Sequence, residues 1–219
     1  MSGSMLRRPA LAVVTCLIGG MTSAIAIAAA PPAASTSVQR IVVIRHGEKP
    51  TAGLGQLSCR GLARAIALPD VLLAKFGTPQ HLFAPNPAVR KPDRGMLYSY
   101  IRPLATIEPL AVRVGLPVDV QHGFHDTAAV VRTLDQPQYA GTFSVIAWEH
   151  KVVKDMVREI LRRNGGDPKT VHSWKDDDFD RVDVITITRS PGQPSHATYA
   201  LDAQNLNSNS DECPRAPAR

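Results

Sequence analysis

Apolar residues fall along this chain in short blocks parted by longer polar stretches. The block Ile41-Val42-Val43-Ile44 is continuous and β-branched, the mark of a strand buried on both faces of a parallel sheet. Further blocks at His81–Ala84, Val118–Val120, Phe143–Trp148, Val182–Thr188 and His196–Leu201 predict five more strands. Helical spacing fills the gaps. Leu62, Ala65, Ile66, Val71, Leu72 and Phe76 predict a helix capped by Ser58, with Pro69 dividing or kinking it. Pro103 suits a first helical position, so a second helix starts beside Arg102 and reaches about Gly115, unless Pro109 ends or bends it. Val152, Val153, Met156, Val157, Ile160 and Leu161 predict a third, with Arg158, Arg162 and Arg163 near its negative end and Gly165 or Gly166 stopping it. Strands alternating with helices predict an α/β fold with a mostly parallel central sheet. The stretch Pro85–Leu97, with three prolines and Arg90, Lys91 and Arg94, reads as a basic loop of a length that tends to be functional.

The amino-terminal block differs in kind. Arg7 and Arg8 precede an apolar run from Ala10 to Met21 and then small residues through Ala30, the pattern of a secretory signal peptide. The run is shorter than the roughly 20 residues a membrane span needs, so no stable membrane anchor is expected after cleavage near Ala26, Ala28 or Ala29. The organisation expected is a leader over 1–30, a flexible lead-in over 31–38, one domain over 39–206 and a tail over 207–219, in a periplasmic or secreted protein. The whole chain carries 25 basic and 19 acidic residues. Losing the leader removes Arg7 and Arg8 and no acid, which leaves 23 against 19 and a net charge of +4. That balance suits an anionic small substrate. No basic run is interleaved with aromatics, so nucleic acid is not an expected partner. After the leader only Cys59 and Cys213 remain; in an exported protein they form a disulfide, or else stand as one buried and one tail thiol.

Chemistry concentrates after the first strand, in Arg45-His46-Gly47-Glu48-Lys49, because ligand sites lie at the carboxyl ends of parallel strands. An Arg-His-Gly turn after a buried strand resembles the signature of the histidine phosphatase superfamily, also called phosphoglycerate mutase-like, whose histidine is transiently phosphorylated. The resemblance runs from about Arg40 to Thr188 and implies a three-layer α/β/α sandwich. It implies His46 as nucleophile and Arg45 as a phosphate clamp. Arg102, in Arg102-Pro103-Leu104-Ala105-Thr106, is similar to the second arginine at the family's Arg-x-x-x-Thr helix start, and His150, after the strand Phe143–Trp148, to its second histidine. Such a site needs no cofactor, and no spacing of His, Cys or carboxylates suggests a metal.

The function implied is an exported phosphomonoester hydrolase working through phosphohistidine. The alternatives are a non-catalytic protein of the same fold that binds a phosphate-bearing ligand and, further off, a mutase, which belongs with cytoplasmic metabolites. The general acid departs from the family pattern. One branch places a Glu after the third strand, where Asp119–Thr127 holds none and Asp126 is the nearest carboxylate; the other places the acid just after the second histidine, where Lys151 stands. Asp126 is therefore the first candidate and Glu149 the second. Glu48 and Lys49 read as orienting or solvated, and Asp176-Asp177-Asp178 with Asp180 as a polar lead-in to the strand at Val182 rather than a calcium loop.

Overall fold

The computed structural model describes residues 35–208 and 210–214. The expected leader, and the lead-in as far as residue 34, lie outside the described residues. Strand β1 (Ser37–Arg45) starts within the stretch read as lead-in and buries Ile41, Val42, Val43 and Ile44 completely. Helix α1 (Cys59–Phe76) follows, with the Ser58 hydroxyl accepting from the Gly61 amide. It runs unbroken through Pro69, since Leu68 and Leu72 on either side anchor it in the core. Then come β2 (His81–Phe83), β3 (Arg90–Asp93), β4 (Met96–Ser99) and α2 (Arg102–Val114), the last continuous through Pro109. After them follow β5 (Val118–Asp119), α3 (Thr127–Leu134), β6 (Phe143–Trp148), α4 (His150–Arg163), β7 (Arg181–Arg189) and β8 (His196–Ala203).

Six strands form one sheet in the order β5-β2-β6-β1-β7-β8, the first four parallel. Each face is covered by a helical pair. On one side α1 and α2 bring Leu68, Leu72, Ile107 and Leu110 onto Val42, Ile44, Val145 and Ala147. On the other, α3 and α4 bring Val130, Val131, Val153, Val157 and Ile160 onto Ile41, Val43, Ile146 and Trp148. The α/β/α sandwich with a mostly parallel sheet is the class expected from the alternation of blocks. Alternate residues of β1 and β6 serve opposite cores, which is why Ile41–Ile44 and Val145–Trp148 are apolar without a break.

Two features depart from the sequence reading. Pro85–Leu97 is not simply a loop, because β3 and β4 pair as a hairpin whose turn residues, Arg94 and Gly95, both have positive φ, the backbone that matches strand twist. The second departure is β7, which runs antiparallel to β1 with Ile44 opposite Val182. The chain therefore climbs back to the carboxyl edge of the sheet over residues 164–180 before β7 begins. The carboxyl-terminal residues are tied down as well: Asn207 accepts from Arg60 and Arg64 of α1, and Cys213 is bonded to Cys59.

Candidate active site

Parallel pairing sets β1 and β6 in register with Arg45 opposite Trp148, and the His46 amide donates to the Trp148 carbonyl at 3.1 Å. The next residues of each strand, His46 on one and Glu149-His150 on the other, must therefore leave the sheet side by side. The turn after His46 is fixed by backbone packing. A Cβ on Gly61 would lie 2.3 Å from the Glu48 carbonyl oxygen and one on Gly47 2.9 Å from that of Gly61, so glycine at both positions lets α1 press against the turn. The Gly47 amide donates to the Thr106 hydroxyl at 2.9 Å, which donates in turn to the Arg102 carbonyl at 2.8 Å. One threonine thus couples the histidine turn to the first turn of α2.

His46 is buried, with Nδ1 2.7 Å from the Gly47 carbonyl oxygen. A carbonyl only accepts, so Nδ1 carries the hydrogen and Nε2 keeps its lone pair. Burial drives the ring's pKa well below its ordinary value, and the nearby Arg102, Arg45 and His150 push the same way, against the Gly47 carbonyl. The imidazole is therefore neutral and nucleophilic at physiological pH.

Both arginines are nearly fully buried. One nitrogen of Arg45 donates to the carbonyls of Asp176 at 2.8 Å and Asp178 at 3.0 Å, while the guanidinium lies 3.7 Å from the centre of the Phe179 ring. Burial lowers its pKa to about 10, partly offset by Asp176, and it stays charged at neutral pH. The climbing segment before β7 is therefore a wall of the site as well as the polar lead-in to that strand. Arg102 pairs with the Asp93 carboxylate at 2.5 Å, and Asp93 also faces Lys49 at 3.5 Å. Lys91, two residues earlier on β3 and so on the same face, pairs with Glu149 and lies 4.4 Å from the Phe124 ring centre.

His150 Nε2 lies 2.7 Å from Asp176 Oδ1. Burial lowers the His150 pKa, against the pull of Asp176, so the neutral ring donates through Nε2 and Nδ1 is left without a partner. Among the described residues, seven buried side-chain polar atoms make no hydrogen bond, and four belong to this cluster: Arg45 Nε, Tyr100 Oη, Arg102 Nε and His150 Nδ1. Buried polar groups are almost always paired, so such a concentration marks a place for a polar ligand.

The structure thus brings Arg45, His46, Arg102, His150 and Glu149 into one cluster. Asp126 follows Phe124 by two residues. It is exposed at the start of α3, where its carboxylate accepts from the Gly123 amide at 3.1 Å. Glu48 is largely buried and receives the guanidinium of the fully buried Arg64, which also binds Asp180 and Gln204. Asp93, Tyr100 and Phe179 are neighbours that the sequence does not single out, while Lys91 shows in it only as part of a basic stretch and Asp176 only as part of a polar one. The one signal for a shared face is the alternation Lys91-x-Asp93 ahead of the Arg94-Gly95 turn.

No family model matches the sequence, and no curated protein matches it either. Solved structures do. A protein from Nakamurella multipartitia described as the phosphohistidine phosphatase SixA superposes with a TM-score of 0.50 at 12% identity, covering 76% of this chain and 96% of its own. The fold is that of the histidine phosphatase superfamily. Lower-scoring superpositions include the phosphoserine phosphatase of Entamoeba histolytica in complex with phosphoserine, with a TM-score of 0.45 at 12% identity, covering 77% of this chain and 98% of that one. Another is the phosphoglycerate mutase of Plasmodium falciparum, also 0.45 at 12%, covering 74% and 89%. In this chain the cluster lies at the carboxyl edge of the parallel strands.

Proposed function

We propose that this chain is an exported histidine phosphatase hydrolysing a small phosphomonoester. The observation that carries the reading is a neutral His46, with its Nε2 lone pair available, beside Arg45 and Arg102, whose Nε atoms are buried without a hydrogen-bond partner. Nε2 attacks phosphorus in line; the P–N bond forms as the P–O bond to the leaving alcohol breaks. Arg45 and Arg102 take up the charge on the non-bridging oxygens, the task that other phosphoryl-transfer sites share with metal ions. An arriving phosphate displaces the Asp93 carboxylate from Arg102, and its negative charge raises the proton affinity of His150, which turns Nδ1 into a donor. Water then hydrolyses the phosphohistidine.

The proton for the leaving oxygen comes from the Glu149–Lys91 pair, which lies against the cluster, and the same pair takes a proton back from the attacking water. Glu149 replaces Asp126 as the favoured acid because it is buried beside His150 while Asp126 is engaged on the surface. Export rests on the leader pattern and on the Cys59–Cys213 bond, which suits an oxidising compartment. A panel of phosphomonoesters tested at acidic and neutral pH on the purified mature protein, beside His46→Ala, tests the activity. Turnover abolished in the variant is the expected result, and turnover unchanged in it sinks the assignment.

A further inference from the structure

Tyr100 lies in the short link between β4 and α2, two residues ahead of Arg102, and is 0% exposed. Its ring meets the His46 imidazole edge-on, 89° between planes and 6.0 Å between centroids. The Arg102 guanidinium lies 5.0 Å from the ring centre, Lys91 Nζ 5.3 Å and the Phe124 ring 5.4 Å. The phenol oxygen is within electrostatic range of Arg45, Arg102 and Glu149, lies against Arg102, and makes no hydrogen bond of acceptable geometry. A phenylalanine would satisfy every one of the ring's packing contacts. Against the Arg102 guanidinium the hydroxyl gains little in the resting protein, since a buried phenol without a well-formed hydrogen bond costs stability.

We propose that Tyr100 is a catalytic residue whose hydroxyl donates to a non-bridging oxygen of the transferred phosphoryl group, alongside Arg45 and Arg102. This rests on the phosphatase reading of the site. The placement beside the attacking ring favours a non-bridging oxygen over the leaving one, which in an in-line displacement lies on the far side of phosphorus from Nε2. Burial and the nearby Glu149 carboxylate push the phenol pKa well above its ordinary value, against the two arginines, so it remains a donor throughout the working pH range. Because the ring is held by packing beside His46, a donor placed there costs little reorganisation when the phosphoryl group arrives.

Tyr100→Phe separates this role from packing. Removing one preorganised donor should lower kcat by roughly 10²–10³-fold, by the same factor for an alkyl and an aryl phosphate, with the thermal midpoint unchanged or raised. Inorganic phosphate should bind more weakly by calorimetry. An unchanged kcat and phosphate affinity, while His46→Ala abolishes turnover, overturns the role of Tyr100 and leaves the phosphatase reading intact. A loss confined to the alkyl phosphate makes the phenol a leaving-group acid and overturns it too. A lowered midpoint reveals a structural bond and likewise removes the proposed role. Should the wild-type chain neither turn over phosphomonoesters nor bind phosphate, both proposals fall together.

Discussion

Acidification should expose the neutral state of His46 directly. The ring's folded pKa lies well below the ordinary 6.5. Below pH 6.5 the unfolded chain binds a proton that the folded chain refuses, so folding stability falls with falling pH from there until the folded pKa is reached. With the folded ring still neutral, the loss attributable to His46 is about 1.4 kcal/mol at about pH 5.5 and about 2 kcal/mol at about pH 5, at 1.36 kcal/mol per pKa unit. Other groups contribute to the acid limb, among them His150 and His81, whose pKa values burial also lowers. Comparison with His46→Gln cancels them, since glutamine keeps a polar side chain at the position and does not titrate. The assay is urea unfolding of both proteins between about pH 7.5 and 5, without phosphate, by linear extrapolation. Wild type should lose stability relative to the variant along that curve. A stability difference independent of pH refutes the claim that His46 is held neutral, and with it the electrostatic argument for the nucleophile.

Glu149→Gln should slow an alkyl phosphate by about 10²–10⁴-fold and an acidic aryl phosphate much less, while Asp126→Asn leaves both nearly unchanged; steady-state kinetics with the two leaving groups decides, and the reverse ranking restores Asp126. Arg64→Met strands Glu48 and Asp180 without their buried partner and should cost about 3–5 kcal/mol of stability by urea denaturation; a change under about 1 kcal/mol shows that the hub is dispensable. Reduction of the Cys59–Cys213 bond, whose sequence separation is 154, should cost up to about 5 kcal/mol on the loop-entropy model, measured as the shift in urea midpoint with reductant. No shift would mean that the unfolded chain gains nothing from release.

The sequence makes legible whatever local chemistry dictates. β1 and β6 are buried on both faces, so Ile41–Ile44 and Val145–Trp148 appear as unbroken apolar runs, and the residues that leave their ends, Arg45-His46 and His150, can be placed from the runs alone. Arg102 is legible because Pro103 marks a helix start. The remainder of the site depends on tertiary placement. Lys91 and Asp93 face inward only because a Pro-rich basic stretch folds as a hairpin over the sheet edge. Asp176 and Phe179 reach Arg45 only because β7 runs antiparallel and the chain must climb back to begin it. Short α3 carries too few turns for its periodicity to stand out, which leaves Asp126 in an apparent loop. Tyr100 offers nothing to sequence reasoning, since a buried tyrosine reads as core until its hydroxyl is found unpartnered.

The central claim is that His46 Nε2 accepts the phosphoryl group. Protein mixed with an aryl phosphate, quenched in alkali within the first turnovers and digested for mass spectrometry, tests it most directly. One phosphoryl adduct on the peptide containing His46, stable to alkali, labile to acid and missing from His46→Gln, is the result this account predicts. Phosphate released at the full rate with no adduct on that peptide, or an adduct on another residue, would contradict it.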